Sequence, residues 1–303
     1  MLILTHIGQM LPDYLNDFFL QLRKFNNNYE IIFLTNQINC SHEIFTNYGI
    51  KTYPIENLIS DRMQHFIQLF GYGSHQSIHQ NIHYGGSDYW CVTATRLFFI
   101  YEYAFNHNIS KFFHFENDIM IYEDLRKIWD IINTNNLYSN QIAITRGTNN
   151  KIMTGFMYVD NIESLNHLLT EIVSYLETKL DLYSFGIDHT NEMALLHIYQ
   201  TKNPNKLINL PILPNNNLTT DFEYYQSVFD PATYGQYLDG TPGSQGVSII
   251  PDSIIGSEFT NSTIPISFEI IDGSRIPFIT YNDVRFKINS LHIHSKRLNL
   301  FLS

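Results

Sequence analysis

Cysteine is nearly absent: Cys40 and Cys91 are the only two among 303 residues. Far apart in sequence, they make no disulfide framework and no Cys-x-x-Cys zinc pair. Both are expected as reduced core thiols. Cationic charge is also scarce, with 18 Lys and Arg against 29 Asp and Glu and a formal charge of −11. This balance repels a phosphate backbone and an anionic membrane surface. It excludes a general nucleic-acid binder and leaves room only for a local basic pocket around a small phosphate ligand. Long apolar runs are missing. Residues 97–100 form one of the longest, far short of the roughly 20 residues of a membrane span. The opening Met1-Leu2-Ile3-Leu4-Thr5-His6 has no basic segment and no small-residue cleavage site, so no signal peptide is expected. The Asn-x-Ser/Thr triplets at Asn39, Asn108, Asn217 and Asn261 are expected by chance in so Asn-rich a chain. A soluble, cytoplasmic protein is the expectation.

Aromatic residues are plentiful: 22 Phe and 20 Tyr within a 44% hydrophobic composition indicate a globular chain with a full core. The first half alternates strand and helix. Residues 2–5, 31–34 and 51–55 are short apolar strands. Between them, Tyr14, Phe18, Phe19, Leu22 and Phe25 recur at helical spacing. This βαβαβ order predicts a parallel sheet with right-handed crossovers. The Gly-flanked, His-rich segment 71–86 is expected as a long surface loop. Helices are predicted over 90–107, 124–132, 161–180 and 189–199, and strands over 112–115, 141–145 and 153–159. Further on, Asp272-Gly273 between two apolar runs is a hairpin signal, and 286–294 is expected as a last strand. With neither internal repeat nor linker, residues 1–303 are expected to form a single α/β domain with a β-rich C-terminal extension.

The strongest chemical signal is Glu116-Asn117-Asp118. An apolar strand runs straight into two carboxylates, and the apolar run resumes at once with Ile119-Met120-Ile121. Carboxylates embedded between buried runs are costly unless something pairs with them. Strand carboxyl ends are also where ligands bind in open α/β sheets. Mg²⁺ or Mn²⁺ shared with substrate phosphates would satisfy both constraints.

Strand–loop–helix–strand order followed by an acidic motif of Asp-x-Asp type resembles the GT-A fold, a Rossmann-like mixed sheet flanked by helices, of nucleotide-sugar glycosyltransferases. The motif here is Glu-Asn-Asp. The resemblance implies that Asp118 binds the metal directly, with Glu116 reaching it through water or holding the nucleotide ribose beside Asn117. Leu291-His292-Ile293-His294-Ser295-Lys296 is similar to a C-terminal element of GT-A families in which a His completes the metal site and a Lys meets the diphosphate. By strand alternation His292 and His294 share a face, and His294 is preferred as ligand for its distance to Lys296. The run 229–240, from Phe229-Asp230-Pro231 to Asp239-Gly240, resembles a loop of glycosyltransferase-like proteins of large DNA viruses and bacteria. For a viral protein the compartment would be the host cytoplasm.

The resemblance implies a metal-dependent transferase taking a UDP-sugar donor and a glycan acceptor, with Mn²⁺ or Mg²⁺ as cofactor. Residues 1–125 would be the nucleotide-binding half, and 126–303 the acceptor half with the metal and diphosphate element. Uridine would lie over the end of the first strand, at Thr5, His6, Ile7 and Gly8. Arg96, alone in an apolar helix, would either pair with an acid or face the donor diphosphate or sugar. Asp188 and Glu192, one helical turn apart, are the candidate general bases, with Asp188 at or near the helix N-cap. Asp230, Tyr234, Gln236 and Asp239 would contact sugar, and Tyr237 could stack on a pyranose.

Three rival activities carry their own signals. His75, His79 and His83 at spacing four permit a zinc hydrolase, although no Glu stands in a zinc-protease arrangement. A carbohydrate-binding protein without turnover would need no diphosphate-facing Lys. A sugar nucleotidyltransferase would need a Gly-rich basic loop after the first strand, which His6-Ile7-Gly8-Gln9 is not.

Overall fold

The computed structural model describes residues 1–70, 87–187, 190–214, 220–240 and 265–303. The His-rich segment with its three histidines, and Asp188, lie outside these residues.

The first strands form because their residues are apolar on both faces. In β1 (Leu2–His6), Leu2 and Leu4 enter one core while Ile3 enters another on the opposite side of the sheet. β2 (Ile31–Thr35) repeats the pattern, with Phe33 on one side and Ile32 and Leu34 on the other. A strand buried on both faces reads as a continuous apolar run. β3 (Lys51–Pro54) and β4 (Phe112–Phe115) extend the parallel sheet on either side. With β6 (Ile142–Thr148), β7 (Lys151–Val159) and β8 (Leu207–Asn209), the order is β3-β2-β1-β4-β7-β6-β8. β7 runs antiparallel to both neighbours, so the sheet is mixed.

Helices cover both faces. α1 (Leu15–Phe25) and, later, α5 (Leu125–Thr134) pack on the first core. α3 (Asp61–Phe70), α4 (Ser87–Asn106), α6 (Ile162–Glu177) and α7 (Glu192–Lys202) pack on the second. α2 (Glu43–Asn47) is a short link before β3. Asp124 caps α5 by accepting the Arg126 N–H at 2.9 Å, and Asn161 caps α6 likewise from Glu163. Of the two cysteines, Cys91 is buried and Cys40 is half-buried, so only one is a core thiol.

The C-terminal third adds strands against the first core. β10 (Ile266–Ile271) and β11 (Ser274–Tyr281) form the expected hairpin. Asp272 and Gly273 both have positive φ at its two-residue turn, which favours Asp-Gly there. β12 (Val284–Ile288) continues this sheet and pairs with β9 (Ser227–Val228). The single strand expected over 286–294 is instead two. Asn289 breaks it: its N–H donates to Val228 and its carbonyl accepts from Tyr122. β13 (Ser290–His292) then joins β5 (Ile119–Ile121) in a separate antiparallel pair. Two short helices, α8 (Phe222–Tyr225) and α9 (Tyr234–Asp239), flank β9.

Candidate active site at the end of the fourth strand

β4 ends at Phe115, and the chain turns tightly through the acidic triplet, with Ile119 N–H donating to the Glu116 carbonyl at 3.1 Å. Beyond the turn, β5 pairs with β13 so that Ile119 lies opposite His292. The Ile293 N–H donates to the Asp118 carbonyl at 3.0 Å. These backbone bonds bring residues more than 170 positions apart into one cluster. One ligand atom from each of Glu116, Asp118 and His292 lies within 4.8 Å of the others. His292 Nε2 is 3.2 Å from Asp118 Oδ2 and 3.6 Å from Glu116 Oε2.

His294, the preferred ligand from the sequence, is not in this cluster. β13 stops at His292 and the chain turns, with His294 N–H donating to the His292 carbonyl at 3.1 Å. Alternation therefore fails beyond that point. The two rings stack instead, with centroids 4.1 Å apart, and His294 Nε2 is buried without a partner among the described residues. Lys296, held at a positive φ of 65°, donates to Asp118 Oδ2.

The electrostatics follow from burial and pairing. Burial favours protonated Asp118, but His292 and Lys296 outweigh it and hold the carboxyl well below its ordinary value. Glu116 is likewise disfavoured as an anion by burial and pulled down to about 2 by Arg96 and His292. Burial opposes charge on His292, yet Asp118 and Glu116 raise it above 6.5. His294 goes the other way, pushed to about 3 by burial and by its cationic neighbour.

Arg96 projects from α4 beneath the cluster. Its Nη2 donates to Glu116 Oε1 at 3.2 Å, to Thr154 Oγ1 at 3.0 Å and to Glu192 Oε2 at 3.1 Å. Arg96 pairs with acids and also lines both cavities that adjoin the cluster. Burial works against its charge, and the two carboxylates more than restore it. Glu192 is the first residue of α7 and is almost wholly buried; burial raises its proton affinity against the pull of Arg96. The cap of α7 is Asn191, which accepts from Ala194 N–H at 2.8 Å, so the N-cap expected at Asp188 is displaced by three residues.

A cavity of about 910 Å³ opens above the cluster, lined among others by Thr5, His6, Ile7, Gly8, Asn117 and Lys296. Its size suits a nucleotide-sized ligand. The Gly8 loop is fixed from below, with its N–H donating to Asn36 Oδ1 at 2.8 Å and its carbonyl accepting from Asn39 at 2.9 Å. Burial lowers the pKa of His6, whose Nε2 lies 2.8 Å from the Met10 carbonyl. Tyr14, which the sequence pattern marked only as a core position, donates to Asn117 Oδ1 at 3.1 Å on the cavity wall. A second cavity of about 310 Å³ adjoins the cluster; its lining includes Trp90, Met153, Glu192, His292 and His294.

The residues expected to contact sugar behave differently. Asp230 is buried, and its carboxylate accepts backbone N–H bonds from Thr233, Tyr234, Gly235 and His292. Tyr234 is fully buried with its hydroxyl on the Ile212 carbonyl. Gln236 is buried in the same helix. Asp239 binds Ser295 and Arg297. None of the four lines either cavity. Asp230, Tyr234 and Asp239 are spent on structural bonds, and Gln236 is buried with its Oε1 unpartnered among the described residues. Tyr237 packs against the core.

The donor set fits a divalent cation. Two carboxylates and an imidazole converge, and Asp118 Oδ1 is buried with no hydrogen-bond partner among the described residues. Such an orphaned acceptor beside a nitrogen ligand is what a Mn²⁺-type ion would satisfy.

No protein-family model matches the chain, and no curated protein sequence matches it. Among solved structures, GlyE of Streptococcus pneumoniae is similar over 68% of this chain and 44% of its own, at 12% identity and a TM-score of 0.39. The galactosyltransferase LgtC with donor and acceptor sugar analogues is similar over 74% of this chain and 82% of its own, at 11% identity and 0.42. Mouse xyloside xylosyltransferase 1 in its apo form is similar over 69% of this chain and 84% of its own, at 12% identity and a TM-score of 0.48.

Proposed function

We propose that the protein is a metal-dependent glycosyltransferase that moves a sugar from a UDP-sugar to a glycan acceptor. The observation that carries this reading is the convergence of Glu116, Asp118, His292 and Lys296 between a nucleotide-sized cavity at the end of β1 and β4, lined by the two acids and Lys296, and a smaller cavity lined by all four.

Transfer breaks the bond between the anomeric carbon and the diphosphate, and the leaving group departs with growing negative charge. Glu116, Asp118 and His292 would hold the metal. When bound, it acts as a Lewis acid toward that charge. Lys296 contributes a second cation at the same point, released from Asp118 toward the diphosphate. Thr5 to Gly8 receive the nucleoside, and Tyr14 steadies Asn117 at its edge. The smaller cavity takes the sugar and the incoming hydroxyl. Its largely apolar wall, with Trp90 and Met153, would limit the water that otherwise hydrolyses the donor. Glu192 lies in this cavity as the candidate proton acceptor. Burial raises its basicity against the pull of Arg96, and a raised basicity favours proton acceptance.

Thermal-shift binding with UDP, GDP and CMP, with and without Mn²⁺, tests the reading on wild type and Asp118→Ala. A ligand that binds only the native state raises the melting temperature. The expected result is stabilisation by UDP that needs both Mn²⁺ and Asp118. No shift with any nucleotide would remove the donor site and favour a glycan-binding protein without turnover.

A further inference from the structure

The segment 229–240 reaches neither cavity, yet it meets the C-terminal element at two points. At the start of α9, Asp230 Oδ1 accepts from Thr233 and Tyr234 N–H at 2.7 and 2.8 Å. Its Oδ2 accepts from Gly235 N–H at 2.9 Å and from His292 N–H at 2.8 Å. One buried carboxylate thus fastens the helix and the His292 backbone to each other. Gly235 makes the approach possible, since a Cβ there would lie 2.1 Å from the His292 carbonyl oxygen. At the other end of α9, Asp239 accepts from the Ser295 hydroxyl and from the Arg297 guanidinium, whose Nε is 2.9 Å away. Ser295 and Arg297 flank Lys296 on both sides.

We infer that α9 is a two-point bracket: Asp230 positions His292 for the metal, and Asp239 positions Lys296 for the diphosphate. Neither acid touches a ligand. Both are positioning residues, and each serves a different partner of the proposed reaction. The inference rests on the metal and donor roles proposed above. Loss of a partner that bonds the ring of a metal-binding His typically costs about 10–100-fold in metal affinity; Asp230 holds the His292 main chain instead, so the lower end of that range is expected. The main sheet takes no part in the bracket, so a lesion in the bracket acts first on His292 and Lys296.

The two ends separate in a binding experiment. Mn²⁺ alone is titrated and followed by its electron paramagnetic resonance signal, and UDP is then titrated at saturating Mn²⁺. Asp230→Asn is expected to weaken Mn²⁺ about tenfold or more. Asp239→Asn is expected to leave Mn²⁺ within about twofold and weaken UDP about fivefold, part of what one charge-assisted contact contributes. Mn²⁺ binding by Asp230→Asn within twofold of wild type overturns the bracket, as does equal weakening of both ligands by Asp239→Asn. If Asp230→Asn does not fold, Gly235→Ala replaces it. If neither folds, the Asp239→Asn split decides. Should wild type bind neither Mn²⁺ nor UDP, the functional reading fails. The bracket is then judged in the metal-free protein by the NMR cross-peak between the stacked His292 and His294 rings. It must fade in Asp230→Asn and persist in Asp239→Asn; persistence in both overturns it.

Discussion

The acidic side of the site and its histidine–lysine side are built in different ways. Glu116 and Asp118 follow β4, the central strand of the seven, and Glu116 N–H is tied to the Gly155 carbonyl of β7 at 3.2 Å. They inherit their place from the main sheet. His292 and Lys296 lie outside that sheet, on a three-residue strand paired with β5 and the turn after it; Leu291, Ile293 and Leu298 around them are buried in the first core, and polar contacts to α9 complete the anchorage. One side is set by the main sheet, the other by a short strand pair and by directed bonds from α9. A lesion in α9 should therefore reach His292 and Lys296 before it reaches Glu116 and Asp118.

The sharpest break is Asp118→Ala. It removes the acid that meets both His292 and Lys296, and sugar transfer should fall at least about 100-fold, the scale for a lost charge-stabilising group. Initial rates with the donor identified by thermal shift measure this. A loss under tenfold would mean that the acidic side is not where the chemistry happens. Gly235→Ala strikes the other side by crowding. Its added methyl must displace the His292 backbone, and urea denaturation should show destabilisation of about 1–3 kcal/mol. Lys296→Met sharpens the contrast further. The donor KM should rise roughly tenfold while Mn²⁺ binding persists, as equilibrium titration would reveal.

The smallest effect joins the two regions. Glu123, just past β5, meets Lys287 of β12 at 2.7 Å. Burial opposes its charge, but Lys287 and the Asp124 N–H draw the carboxyl below its ordinary value. A depressed acid adds stability above its unfolded pKa of about 4.5, lost as pH falls through the folded value. Glu123→Gln should cost about 1 kcal/mol near neutrality and flatten the acid side of the stability–pH curve. An unchanged curve in calorimetry would show that this pair does not couple the regions.

The acidic side was legible in the sequence because its signal is local. An apolar strand that meets Glu-Asn-Asp and then resumes as an apolar run needs no knowledge of distant contacts. The first three strands and the 272–273 hairpin were legible for the same reason. The other side was only half legible. His292 and Lys296 stood out as residue types, but alternation cannot show that a strand stops at His292, so His294 was preferred. Asp230 and Tyr234, expected as sugar contacts, are buried on backbone bonds; an acid and a tyrosine in a Gly-containing loop have the same pattern whether solvated or buried. The Arg96 network joins four elements, and no local pattern carries it.

The Ile293–Asp118 backbone bond has a consequence for redesign. The spacing of the acid and the imidazole is written in main-chain hydrogen bonds and in the β5–β13 register, not in the side chains themselves. Side-chain chemistry can therefore be exchanged on a fixed frame. On the proposed metal role, a thiolate at position 292 would turn the cluster toward zinc, and a carboxylate there would turn it toward magnesium or calcium.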